Sequence, residues 1–323
     1  ASGAPGNDYW QQQADYVIDA TLDENNKRIS ASERITYSNN SPDTLSFIWI
    51  QLDQNRFRKD SIGQTTGSTG SDRISFASMR LEQHTAERQY GFEIQRVALR
   101  NGTALDYTIN DTMMRIDLES PLRNGQSVTF DIDWEHNIVF QEVTGGRGGY
   151  EHFPNTDTYQ FALSQWYPRV AAYTDYNGWV NKQFIGRGEF TLEFGDFDVS
   201  LTVPADHIVA STGVLQNPAQ VLTTEQRERL NQARESDTPV FIVTPEEAEA
   251  NQAEGSDDMV TWRFEAENVR DFAWASSRKY IWDALTHVQE GAEHEEVLAM
   301  SFYPPEAEPL WSQYSTHSVA HTM

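Results

Sequence analysis

The sequence predicts a mainly β fold of antiparallel strands, followed by the first strand and helix of an incomplete α-containing domain. Three observations carry this prediction. From Tyr16 to about Val203 apolar residues recur with period two, the signature of half-buried strands. Asn101-Gly102 and Asn124-Gly125 fall between strand-like runs, and Asn-Gly is the strongest short hairpin signal because both central turn positions need positive φ. Helical spacing takes over late, above all after Pro305. At 323 residues the chain exceeds the length of about 250–300 at which one hydrophobic core stops growing. More than one core is expected, with a β domain over 1–285 and the beginning of a second domain over 286–323.

Each element follows from local pattern. Tyr16, Ile18, Ala20 and Leu22 alternate with Val17, Asp19, Thr21 and Asp23, and the run from Ile29 to Tyr37 ends at an Asn39-Asn40-Ser41-Pro42-Asp43 turn. Leu45 to Leu52 forms an apolar strand, and further strands read at 90–99, 105–109, 113–118 and 127–135, as a meander. Lys59 to Ser75 breaks the pattern with Gly63, Gly67 and Gly70 among Ser and Thr, which predicts a long surface loop. Ser78 to Gln89 has the spacing of a short helix. Thr224 to Glu235 is rich in helix formers, and Pro245 to Ala253 opens with Pro after Thr244 as N-cap, so both read as helical insertions. Strands return at 240–243, 260–264 and 297–303, and Pro305 to Met323 is a helix.

Composition narrows function. Forty-nine Asp and Glu against 24 Lys and Arg give a formal charge of −25 and a pI near 4.5. A phosphate backbone needs a basic footprint, and Arg96, Arg100, Arg115 and Arg123 stand apart with no stripe, so nucleic acid is not expected as a partner. An anionic membrane surface is disfavoured for the same reason. No stretch approaches the roughly 18 apolar residues of a membrane span, and membrane insertion is not expected. Cysteine is absent, which removes disulfides, thiolate metal sites and cysteine nucleophiles. The small-residue start, Ala1-Ser2-Gly3-Ala4-Pro5-Gly6 without Met, suggests a processed secretory protein and a periplasmic or extracellular location. Tyr314 to Met323 reads as the middle of a helix with no closing cap, which suggests a fragment.

Most catalytic motifs fail on inspection. His294-Glu295-Glu296-Val297-Leu298 has the first His and the Glu of a zinc-peptidase helix, but Leu298 stands at the second ligand position and the segment runs into a strand. His317 and His321 lie four apart on a helical face, with Ser318 where the general-base Glu is needed and no third ligand; a solvated surface pair is the plainer reading. Gly145-Gly146-Arg147-Gly148-Gly149 lacks the Lys-Ser/Thr of a phosphate loop and reads as a turn, and no Gly-x-Ser-x-Gly elbow occurs. Glu189, Glu193, Asp196 and Asp198 alternate with Phe190, Leu192, Phe194 and Phe197, as the polar face of a strand does. The stretch from Ser164 through Gln165, Trp166, Tyr167, Pro168 and Arg169 to Trp179 concentrates aromatics, Arg, Asp and amides with little periodicity. It reads either as a binding loop or as an aromatic corner joining two sheets.

Those residues also carry a resemblance. Gln165-Trp-Tyr-Pro-Arg169, Tyr173 to Trp179, Gly188-Glu-Phe190, Phe194 to Pro204 and Ala210-Ser-Thr-Gly213 are similar to the amino-terminal β domain of bacterial zinc aminopeptidases related to aminopeptidase N, of the gluzincin family. Val269-Arg-Asp-Phe-Ala-Trp-Ala275 resembles the stretch leading into their catalytic domain, and Tyr16 to Asn55 fits as well. The resemblance implies a saddle-like β domain that packs on a thermolysin-like domain and walls one side of a peptide cleft. It implies zinc in the full-length parent, held by a His-Glu-x-x-His helix and a later Glu, with a Gly-x-Met-Glu-Asn motif for the substrate amine. None of these motifs occurs in this chain, so no catalytic residue, no metal ligand and no cofactor of its own are expected, and the chain alone is expected to be inactive. Its partner is then its own catalytic domain. Ser164-Gln165 matches the Ser/Thr-Gln pair through which the family's β domain touches the substrate amine, which makes Gln165 the candidate substrate-binding residue. The rival expectation is a free-standing carbohydrate- or protein-binding β sandwich that uses Trp166, Tyr167, Tyr173, Tyr176 and Trp179 as a stacking platform.

Overall fold

The computed structural model describes residues 5, 6, 8–66, 76–186, 188, 190–291 and 296–323. The chain opens with β1 (Gln13–Asp23), β2 (Arg28–Asn39) and β3 (Leu45–Gln51), then a 3-10 turn over Asp53–Phe57 and helices α1 (Ile62–Thr65) and α2 (Phe76–Glu87). Next come β4 (Glu93–Leu99), β5 (Tyr107–Asn110), β6 (Met113–Leu122), β7 (Gln126–Asn137) and α3 (Gln141–Thr144). A run of mostly short strands follows: β8 (Gly149–Phe153), β9 (Thr158–Leu163), β10 (Arg169–Val170), β11 (Tyr173–Thr174), β12 (Gly178–Trp179), β13 (Gly195–Pro204), β14 (Ile208–Ser211) and β15 (Val214–Leu215). The last third mixes α4 (Pro218–Val221), α5 (Thr224–Ala233), β16 (Val240–Val243), α6 (Pro245–Glu254), β17 (Met259–Val269), β18 (Trp274–Ser277), β19 (Ile281–Val288), β20 (Glu296–Tyr303) and α7 (Leu310–Thr322). The fold is mainly β, as the period-two pattern requires.

The largest sheet has seven strands in the order β15-β17-β13-β1-β2-β7-β4, and a four-stranded sheet runs β10-β3-β6-β5. In β1, Ala14, Tyr16, Ile18, Ala20 and Leu22 are buried while Val17, Asp19, Thr21 and Asp23 are exposed, so one face feeds the core and the other faces water. Ile48 and Ile50 of β3 and Met114 and Ile116 of β6 join the same core as Ile18, Ile35 and Phe130. Burying each of these large side chains stabilises the fold by about 1.5–3 kcal/mol relative to exposure. One pair departs from the antiparallel expectation: β1 and β13 run parallel, with Tyr16 beside Phe197 and Ala20 beside Leu201. Gly195 starts that pairing because a side chain has no room there; a Cβ would stand 1.7 Å from the Ala14 carbonyl oxygen.

The two Asn-Gly pairs are turns, but the meander is corrected. Gly102 and Gly125 take φ of +89° and +74°, as such turns need. Yet β4 pairs with β7 in the large sheet and β5 with β6 in the small one, and β6 and β7 are likewise split between the two. Each turn hands the chain from one layer to the other, so that both buried faces meet over one core.

A four-stranded sheet, β14-β18-β9-β8, continues the β region, and a three-stranded sheet, β16-β19-β20, lies beside α5, α6 and α7. Residue 285 falls inside β19, whose partners β16 and β20 come from either side of it in sequence. The helices begin where local chemistry predicts: Thr223 caps α5, and Thr244 caps α6 with Pro245 in its first turn, each closed by a reciprocal capping box. α7 is fastened to β19, where Asp283 accepts hydrogen bonds from Thr316 and, at 2.6 Å, from the Tyr303 hydroxyl. The predicted loop over Lys59 to Ser75 contains α1, and its residues 67–75 lie outside the described residues.

Candidate functional site

The Gln165-Trp-Tyr-Pro-Arg run is the crossing from β9 to β10, where three sheets converge. Trp166 is fully buried, donates from Nε1 to the Phe272 carbonyl at 2.9 Å, and packs edge-on against Trp274 of β18. Its own carbonyl meets His136 Nε2 at 3.1 Å. Burial pushes that imidazole down to about 4, so it is neutral. Tyr167 is buried against Tyr16, whose hydroxyl accepts from Val170 N at 2.9 Å. The aromatic-corner reading therefore describes Trp166 and Tyr167. Tyr173 and Trp179 are half-buried and pack on each other, with Trp179 also against Tyr37; Tyr176 alone is fully presented to solvent. These five rings do not form a stacking platform.

Arg169 anchors the crossing from below. Its Nη2 lies 2.7 Å from Asp53 Oδ2 and its Nη1 2.7 Å from Asp271 Oδ2, with Gln51 Oε1 at 3.4 Å. Arg169 and Asp53 are almost completely buried. Burial works against the Arg169 charge, yet Asp53 and Asp271 hold its pKa above the usual guanidinium value. Burial likewise raises the Asp53 carboxyl, and Arg169 opposes that rise. Asp271 is satisfied on both oxygens, since Tyr167 Oη and Phe272 N each donate to Oδ1 at 2.9 Å.

Gln165 sits above this base. It is half-buried, and its backbone is left-handed at φ +57°, a conformation that costs a non-glycine residue about 1–2 kcal/mol. Gln54 Nε2 holds it there by donating to its carbonyl at 2.9 Å. Gln165 lines a cavity of about 180 Å³. Arg169 and Asp271 lie at its base, Phe190 and Leu192 form an apolar wall, and Arg147 and Arg270 stand exposed at the rim beside Ser164.

Sequence reasoning singled out Gln165, Ser164 and Arg169, and the structure brings them together. It missed Asp53 and placed Arg270 and Asp271 only inside a stretch quoted for its resemblance. Asp53 carries no local signal because its partner is 116 residues away. Glu193, expected on the polar face of a strand, is instead half-buried, and its Oε1 accepts from Tyr173 N at 2.8 Å. Burial pushes it up to about 7, with Tyr173 N and Arg270 opposing. The strand itself starts only at Gly195, because Phe190, Leu192 and Phe194 leave the sheet half-buried. Glu189 lies outside the described residues.

His317 is half-buried and His321 exposed on α7, while His294 and Glu295 lie outside the described residues. Among the described residues no three His, Asp or Glu side chains converge as a metal site. The residues described do not fit a zinc ion, and no step through zinc is derived from them.

No family model matches the chain, and no curated protein matches it. Solved structures similar to it are M1 zinc metallopeptidases. That of Deinococcus radiodurans shares 12% identity at a TM-score of 0.47, over 91% of this chain and 48% of the other. A mutant of it bound to a Tyr-Ser-Ala substrate gives 12% and 0.48 over the same shares. A two-domain M1 zinc metallopeptidase mutant bound to L-tryptophan gives 11% and 0.47 over 94% and 50%. The chain spans about half the length of these structures.

Proposed function

We propose that this chain is the β domain of a zinc aminopeptidase, walling one side of the cleft in which a peptide's amino terminus is held. The observation that carries this reading is the cavity at Gln165: a half-buried residue whose strained backbone is held by Gln54 over a buried Arg169 base, in the Gln-Trp-Tyr-Pro-Arg run that resembles that family. An amide oxygen accepts a hydrogen bond from a protonated amine without placing another charge in the wall, which fixes orientation at low desolvation cost. Zinc and the hydrolytic groups then belong to a catalytic domain packed against this one, and the substrate of the joined protein is a peptide with a free amino terminus.

A free-amine peptide is expected to bind the purified chain, and N-acetylation or Gln165→Ala should abolish that binding. The chain with added zinc should release no fluorophore from an aminoacyl substrate. Turnover that persists through repurification and disappears in His317→Ala overturns the proposal, as does binding indifferent to acetylation.

A further inference from the structure

Among the residues that line the cavity, Gln165 alone has a left-handed backbone, at φ +57°. In a non-glycine residue such a conformation persists only where the surroundings impose it, and such residues cluster at binding and catalytic sites. What imposes it here is the 3-10 turn over Asp53–Phe57, which meets the crossing twice. Asp53 accepts from Arg169 Nη2 at 2.7 Å and from its Nε at 3.2 Å, and the next residue, Gln54, donates from Nε2 to the Gln165 carbonyl at 2.9 Å. The turn is itself fastened. Asn55 donates from Nδ2 to the Asp111 carbonyl at 2.7 Å and accepts from Phe92 N at 2.8 Å, and Leu52 N donates to the Thr112 carbonyl at 2.8 Å. Gln54 therefore stands between two fixed neighbours, and its amide is a fixed donor.

We infer that Gln54 is a positioning residue for the substrate amine: it does not line the cavity itself, and it acts by keeping Gln165 left-handed, the form in which Gln165 lines the cavity. The inference rests on the peptide reading above and adds the residue that keeps its amine site in register. Ser164, tied through Oγ to the Arg147 carbonyl at 2.9 Å, and the buried Trp166 flank Gln165, so a change in the Gln165 dihedrals redirects its side chain rather than moving its neighbours. Without the Gln54 donor nothing offsets the cost of the left-handed form, and Gln165 passes to the right-handed or extended regions open to any residue. Losing the hydrogen bond and relieving the strain act on stability in opposite directions, so removing the donor disturbs the site more than the fold.

The test compares wild type with Gln54→Met, which keeps the length of the side chain and removes its donor. Calorimetric titration of the whole chain with Ala-Ala-Ala-amide should show weaker binding in the variant. The loss is the inverse of the fraction of chains still left-handed at Gln165, about five- to thirtyfold. The thermal midpoint should stay at the wild-type value, and a crystal structure of the variant should show Gln165 at negative φ. Gln54→Glu, whose carboxylate cannot donate to that carbonyl, is read alongside and should behave alike. Unchanged affinity in both variants, or weaker binding with Gln165 still left-handed, overturns the inference. A lowered midpoint in both also overturns it, because Gln54 is then part of the scaffold. If wild type binds the free-amine peptide and Gln165→Ala does not, while the Gln54 variants bind normally, the positioning role alone fails and the peptide reading stands. If wild type binds no peptide, or binds the N-acetylated one equally, the peptide reading fails and the inference falls with it.

Discussion

Two buried residues hold polar groups where the core would be expected to be apolar, and both make claims that can be measured. Arg169 compensates Asp53 inside the protein. Arg169→Met leaves Asp53 uncompensated and should lower the unfolding free energy by about 3–5 kcal/mol in urea; an unchanged midpoint would show that Asp53 is not charged there. Glu33 is the converse case. It sits on β2 in the centre of the large sheet, 1% exposed, with neither oxygen in a hydrogen bond of normal geometry and Trp134 Nε1 equally unpaired. Burial raises its pKa well above 4.5, and Trp134 opposes this only in part. Below pH 4.5 folded and unfolded states both carry the proton; above it the unfolded chain ionises while the folded one does not, so the pair costs stability as pH rises toward the folded pKa. Glu33→Gln removes that titration. Its unfolding free energy relative to wild type should improve progressively as pH rises from 4.5 to 7. A difference independent of pH would contradict a protonated Glu33.

At the scale of elements, what the sequence makes legible is what local chemistry decides. α6 begins at Pro245 because Thr244 accepts from Glu247 N and the Glu247 carboxylate accepts from Thr244 N at 2.8 Å. Thr244→Ala should therefore destabilise the protein by about 1 kcal/mol, read as a shift in thermal midpoint, while Thr244→Ser should not. β1 is legible for a similar reason: one buried face forces strict alternation from Ala14 to Leu22. The Asn-Gly turns are legible as turns, but their sequence does not say which sheet receives the next strand, and that is decided by which faces meet over the core. The cavity is legible only in part. Gln165 and Arg169 share one short run, whereas Asp53 and Arg270 reach it from more than 100 residues away on either side, through pairings no local pattern encodes.

The whole molecule carries 49 acidic against 24 basic residues, and its listing toward one sign is a global property that no single ion pair offsets. Self-repulsion of like charges opposes the compact state and is screened as the Debye length falls from about 30 Å at 0.01 M salt to about 8 Å at 0.15 M. The urea midpoint should thus rise between 10 mM and 0.5 M NaCl; a flat response would mean the charges are already neutralised locally. The Gln165 cavity is where the functional reading is decided. The most direct measurement is the steady-state kcat/KM of Gln165→Ala against wild type, in the protein that joins this domain to its catalytic domain, with the thermal midpoint recorded for both. The proposal predicts a loss of transition-state binding of about 1–3 kcal/mol, or roughly 5- to 150-fold in kcat/KM, at an unchanged midpoint. A lowered midpoint with kcat/KM intact in the folded enzyme would make Gln165 a part of the scaffold and contradict its place at the substrate's amino terminus.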